Sequence, residues 1–247
     1  MSGLRRRSWM IGMAGLALAG EAEAAPSRPR SVAEAVASAT AGARSDTGRA
    51  LGIYAFVRDQ IEFGFTPRFD RASPAYTLRR RRGHCNPQAT LMVAMLREAG
   101  LEARVHVVGI SNAVLDGLFP IPLPERLDHA FTEIRLDGHW IRLDGYIADP
   151  PLLAGAQARL AREQRELGYG VHIHGRGDWN GIGDCMSQFV DPAMAVRDFG
   201  SMAELREHLD SPNYGQRLGV LGTIGLSAVV GRVNQTLDAL RGTTPPG

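Results

Sequence analysis

"GHCNPQATLMVAMLREAG", residues 83–100, decides the fold. A glycine, one of only two cysteines in 247 residues and an Asn-Pro pair run straight into an apolar stretch. Asn86 is a good N-cap, Pro87 suits the first helical position, and Gly100 is placed to end the helix as C′. The interior, residues 89–96, is apolar nearly all round, which marks a helix buried on every side. Cys85 then sits at the mouth of that helix, where unpaired N–H groups and the positive end of the dipole favour a thiolate. The competing reading is an inert buried thiol beside a solvated run of four arginines, Arg79 to Arg82.

A nucleophile needs a base, and the base needs an orienting group. Downstream of the helix, "ARVHVVGI" (103–110) reads as a strand. "HAFTEIRL" (129–136) and "HWIRLDGY" (139–146) follow, joined by Asp137-Gly138, a strong hairpin signal. A two-residue turn there pairs Leu136 with His139, so Phe131 opposes Asp144 and Glu133 opposes Arg142. His129 and Asp144 fall on one face as diagonal neighbours, within reach of a His–carboxylate hydrogen bond. Glu133 and Arg142 are expected to form a cross-strand ion pair. The other face carries Ala130, Thr132, Ile134, Leu136, Ile141 and Leu143. A one-residue slip would bury the charges and expose these side chains, so the register is well specified.

The remaining segments are read around this centre. Residues 47–64 form an amphipathic helix with Leu51, Tyr54, Val57 and Ile61 on one side. Residues 65–76 read as a loop, 111–126 as a Pro-rich excursion and 151–168 as a helix. Residues 169–190 are Gly-rich and read as a loop wall beside the site. A helix near 201–209 and an apolar helix from 218 close the chain, and the uncharged part of the latter, 218–231, is too short to span a membrane. Helices and an antiparallel sheet in one unit make the class α+β.

At the other end, Arg5, Arg6 and Arg7 precede a short apolar run (9–20). "AEA" (22–24) puts small residues at −3 and −1 of a cut before Ala25. This predicts an export signal over 1–24, and "RRSWM" (6–10) approximates the twin-arginine form. The expected location is periplasmic or otherwise exported. Residues 25–46 read as a linker grading into a helix, 47–150 as the core, and 151–247 as a helical, Gly-rich extension packed on it. An oxidising compartment permits a Cys85–Cys185 disulfide, and the sequence leaves that pairing open.

Hydrophobic residues make up 44% and charged residues 22%, as in globular proteins. The net charge is +2, from 28 basic and 26 acidic residues, which does not predict nucleic acid as a partner. His172, His174, Asp178, Asp184 and Cys185 lie close in sequence, but their spacing matches no strong zinc signature, so no metal site is assigned.

"GHCNPQATLMVAMLREAGLEARV" followed by "DHAFTEIRLDGHWIRLDG" resembles the transglutaminase-like superfamily. The shared pattern is a Gly-x-Cys opening a helix, a Leu-Arg-x-Ala-Gly helix end, a His-Ala-aromatic strand and an Asp closing the next strand. The resemblance covers roughly residues 50–150. It implies a papain-like fold with the cysteine helix packed on an antiparallel sheet. It also implies Cys85 as nucleophile, His129 as base and Asp144 as orienting acid. The implied chemistry is acyl transfer or hydrolysis on a peptide or protein amide through a thioester, with no cofactor. The Cys85 N–H is the natural first oxyanion donor. The second donor is unassigned, with Tyr76 and Thr77 as weak candidates, and His84 is a candidate substrate contact. Acyl acceptor, substrate and oligomeric state stay open, with periplasmic peptides, peptidoglycan stems and protein glutamines all candidates. A binding module that keeps the fold without turnover is the alternative.

Overall fold

The computed structural model describes residues 28–215 and 220–242, with side chains described outside 216–228. The export signal expected over 1–24 lies outside the described residues. Among the described residues seven helices and eight strands follow in the order α1 (Val32–Ala39), α2 (Asp46–Gln60), β1 (Glu62–Phe63), α3 (Pro74–Arg80), β2 (Arg82–Gly83), α4 (Cys85–Glu98), β3 (Ala103–Ser111), β4 (Arg126–Leu136), β5 (His139–Leu143), α5 (Pro150–Glu163), β6 (Leu167–Gly168), β7 (Val171–His172), β8 (Ala195–Met202), α6 (Leu205–Leu209) and α7 (Val220–Arg241). Single 3-10 turns stand at 69–71, 112–115 and 192–194.

Helix α4 is the centre of the fold. Leu91, Met92, Met95 and Leu96 are fully buried, and α1, α2, α3, β3 and β4 all pack against it. Its start differs from the sequence reading. His84 is the N-cap, without a side-chain cap bond, and Cys85 is the first helical residue. Asn86 does not cap because its side chain is drawn across to β4 instead. At the other end Gly100 takes φ +77°, the left-handed C′ position expected of it.

The sheet is antiparallel, in the order β5-β4-β3-β8. The hairpin has the expected register, with Leu136 opposite His139 and Glu133 opposite Arg142. Asp137 and Gly138, at φ 49° and 83°, supply the two left-handed positions of such a tight turn. The expected Glu133–Arg142 ion pair is not made. Glu133 pairs with Arg104, and Arg142 is taken by Asp184 at 2.6 Å. Both sheet faces are covered. The helical layer buries one, and a smaller apolar cluster of Val108, Ile110, Val114, Leu127, Phe131 and Phe189 covers the other.

Three segments refine the sequence reading. The linker read over 25–46 grades into α1, which buries Ala35 and Val36 against the core. Residues 74–76, read as the end of a loop, instead open α3, started by Ser73 as N-cap and Pro74. The extension supplies the fourth strand of the sheet, β8, paired with β3 through two register shifts. The arginine run ends α3. Arg81 holds the left-handed C-cap, and Arg82 bonds Glu62 and Asp238.

Gly52 tests whether α1 belongs to this core. A Cβ there would meet the backbone oxygen of Ala39 at 2.0 Å. Gly52→Ala gains about 1 kcal/mol in helix propensity. It must nonetheless push α1 off α2, an overpacking cost of about 1–3 kcal/mol, and the larger estimate is expected to win because the obstacle is backbone. A fall in thermal midpoint is the expected result, and an unchanged or raised midpoint would contradict the docking of α1.

Candidate active site

Three elements converge. Helix α4 places Cys85 at its first residue, β4 carries His129, and Asp144 follows the last residue of β5. His129 Nε2 lies 3.1 Å from Asp144 Oδ2, and both side chains are buried. The other ring nitrogen, Nδ1, is buried without a hydrogen-bond partner. Burial alone would push His129 toward its neutral form. The Cys85 thiolate and Asp144 outweigh it, and the pKa is raised to about 9. The ring therefore stands between a carboxylate on one nitrogen and the thiol as the strongest favourable charge on it.

Two polar side chains in the first turn of α4 lock this arrangement. Asn86 Oδ1 accepts from Ala130 N at 2.9 Å, and its Nδ2 donates to Asp128 O at 3.2 Å. These are the backbone neighbours of His129 on either side, so the residue next to Cys85 grips the strand around His129. Gln88 Nε2 donates to Gly83 O at 2.8 Å and to Ile147 O at 3.0 Å, tying the same turn to the segment just after Asp144. Sequence reasoning missed both tethers. The available signal was two amide side chains opening an otherwise apolar buried helix.

Asp144 sits in a cradle of backbone N–H groups from the Gly-rich segment. Oδ1 accepts from Ser187 N and from Gln188 N (3.2 Å), and Oδ2 accepts from Phe189 N at 2.9 Å. Asp144 N and Gly145 N in turn donate to Cys185 O at 3.0 and 2.9 Å. Both cysteines are free. Cys185 Sγ is buried 3.3 Å from Tyr54 Oη, and burial raises its pKa. Asp184 is bound to Arg142, and among the described residues no three His, Cys, Asp or Glu side chains lie close enough to hold a metal.

A cleft of about 360 Å³ opens on the thiol and is lined by Cys85, Asn86 and His129 at one end. His84 lines it too. Its Nε2 lies 2.7 Å from Asp70 Oδ1, and its ring stacks on Phe65 at 5.0 Å. Burial would raise the pKa of Asp70, yet it is lowered by the bonds from His84, Tyr214 and Asn86. Tyr76 and Thr77 are not brought to this site. Both belong to α3 and neither lines the cleft: Thr77 is fully buried, and Arg68 lies over the Tyr76 ring at 4.5 Å. The Cys85 N–H, in the first turn of α4, is among the donors a helix cannot satisfy internally.

No curated protein matches the chain. Among solved structures, one described as a "Putative Cysteine Protease from Cytophaga hutchinsonii" matches with 20% identity and a TM-score of 0.38, over 51% of this chain and 41% of that one. A structure described as "a TGase" matches with 14% identity and a TM-score of 0.36, over 46% of this chain and 30% of that one. The chain thus spans well under half the length of either. Residues 33–145 match the model of the transglutaminase-like superfamily, a span that includes Cys85, His129 and Asp144. Over these residues, a little under half of its length, the chain with its papain-like α+β core is similar to the transglutaminase-like superfamily.

Proposed function

We propose that the protein is a thiol enzyme performing acyl transfer or hydrolysis on an amide bond, with Cys85 as nucleophile, His129 as base and acid, and Asp144 as orienting group. The observation that carries this reading is the His129 ring, bonded to Asp144 through Nε2 with Nδ1 left for the thiol. The Cys85 thiolate attacks the amide carbonyl and a C–S bond forms. The His129 imidazolium gives its proton to the leaving amine as the C–N bond breaks. Water or a second amine then attacks the thioester, its proton returns to His129, and the thiolate leaves. The N–H of Cys85 faces the developing oxyanion. In this reading residues 1–24 direct the chain out of the cytoplasm, and the substrate is a peptide or protein amide. Among the described residues no helix is long and apolar enough to cross a membrane.

The test is a covalent intermediate. Protein incubated with cell-envelope extract and quenched in acid is expected to carry an acyl adduct on the peptide containing Cys85. The adduct is expected to disappear in Cys85→Ala. A binding module without turnover would yield no adduct and a Cys85 no more reactive than an ordinary thiol.

A further inference from the structure

The cleft beside Cys85 has a chemistry of its own. Phe65 and Phe119 meet edge to face at 5.0 Å and form one wall. Ile110, Val114 and Leu127 form another, backed by the second apolar cluster. Ile121 stands at the rim, 42% exposed. Water in such a space is easily displaced by an apolar group, and the volume suits one large side chain with its backbone.

Apart from the His129 imidazolium, which Asp144 and Cys85 already partner, the charges in the cleft are carboxylates. Among the described residues its lining includes Asp70 and Asp128 but no lysine or arginine, and the two imidazoles lie at the Cys85 end. Asp70 is held by His84, Asn86 and Tyr214. Asp128 is held by His208 at 2.9 Å, Gly215 N at 2.9 Å and, from outside the lining, Arg126 at 3.2 Å. These partners bond to Asp70 and Asp128, and among them only His84 keeps a ring nitrogen, the buried Nδ1, without a partner. An acidic group entering the cleft would lose its water and face two carboxylates.

We infer that this cleft is the acyl-side specificity site of the enzyme, taking an uncharged, bulky apolar side chain, aromatic or large aliphatic, next to the reactive carbonyl and excluding acidic ones. The inference rests on the thiol-enzyme reading above and narrows it. Peptides with hydrophobic residues on the acyl side fit, and acidic cell-wall stem peptides do not.

Chloromethyl ketones of acetyl-Phe, acetyl-Leu, acetyl-Ala and acetyl-Asp, with iodoacetamide as reference, separate the two claims. The rate of Cys85 modification is followed by mass spectrometry on the full chain, and each rate is divided by the iodoacetamide rate of the same protein. The Phe and Leu reagents are expected to react about 10- to 100-fold faster than the Ala reagent, the usual return for burying one such side chain. The Asp reagent is expected to be slowest. Phe119→Ala is expected to shrink the Phe-to-Ala ratio. Ile121→Lys, at an exposed position that tolerates a cation, is expected to speed the Asp reagent several-fold. Equal normalised rates for all four reagents on a thiol that iodoacetamide labels rapidly would overturn the specificity site and leave the thiol enzyme standing. Failure of every reagent to label native Cys85 would overturn both.

Discussion

Asp144→Asn is expected to slow acylation of Cys85 by about 10³- to 10⁴-fold, the loss typical when an orienting carboxylate becomes an amide. The carboxylate accepts four bonds: two backbone N–H groups on Oδ1, and one backbone N–H with His129 on Oδ2. An amide has one accepting oxygen. With that oxygen kept toward Ser187 and Gln188, its NH₂ faces Phe189 N–H and His129 Nε2. The histidine then bonds only as the other tautomer, with Nε2 accepting and the proton on Nδ1. In the proposed mechanism Nδ1 is the nitrogen that takes the thiol's proton, and once protonated it can no longer do so. Phe189 N–H is left as a buried donor without a partner, at about 1–3 kcal/mol. The variant should therefore melt lower as well as react more slowly. The measurement is single-turnover formation of the acyl-enzyme, normalised to folded protein. A folded Asp144→Asn protein acylated at near wild-type rate would remove Asp144 from its assigned role.

The parts of the site that sequence made legible are those written in side chains. The apolar run of α4 and the Asp137-Gly138 turn fix a helix and a register, and the register alone brings His129 beside Asp144. What stayed illegible is written in backbone. The Asp144 cradle uses N–H groups of Ser187, Gln188 and Phe189, which nearly any residue would supply equally. Strand β8 also escaped notice. Two register shifts break its alternation, and Arg197 and Asp198 stand where a regular strand would show periodicity. Asn86 was visible, but its capping propensity pointed to the wrong partner. The helix starts two residues earlier, with His84 as N-cap, and the Asn86 amide serves as a clamp on β4.

Acylation is expected to fall on the alkaline side with a midpoint near pH 9, where the His129 imidazolium is lost. Burial favours the neutral ring, and only the Cys85 thiolate and the Asp144 bond hold the proton in place against it. The proton is the one delivered to the leaving amine, so rate follows its occupancy. The sign of the stability effect follows from the same shift. The folded-state value lies above the ordinary 6.5, so the stabilisation is complete below pH 6.5 and is lost as pH rises through about 9. Cys85→Ala separates the causes. It removes the strongest favourable charge and leaves burial opposed by Asp144 alone, so the His129 midpoint should drop well below 9. Imidazole ¹⁵N chemical shifts followed against pH in wild type and Cys85→Ala measure both midpoints directly. A midpoint near 9 that survives the loss of the thiol would mean that Asp144 alone holds the proton. The thiol and imidazole would then not form the ion pair that the proposed chemistry starts from.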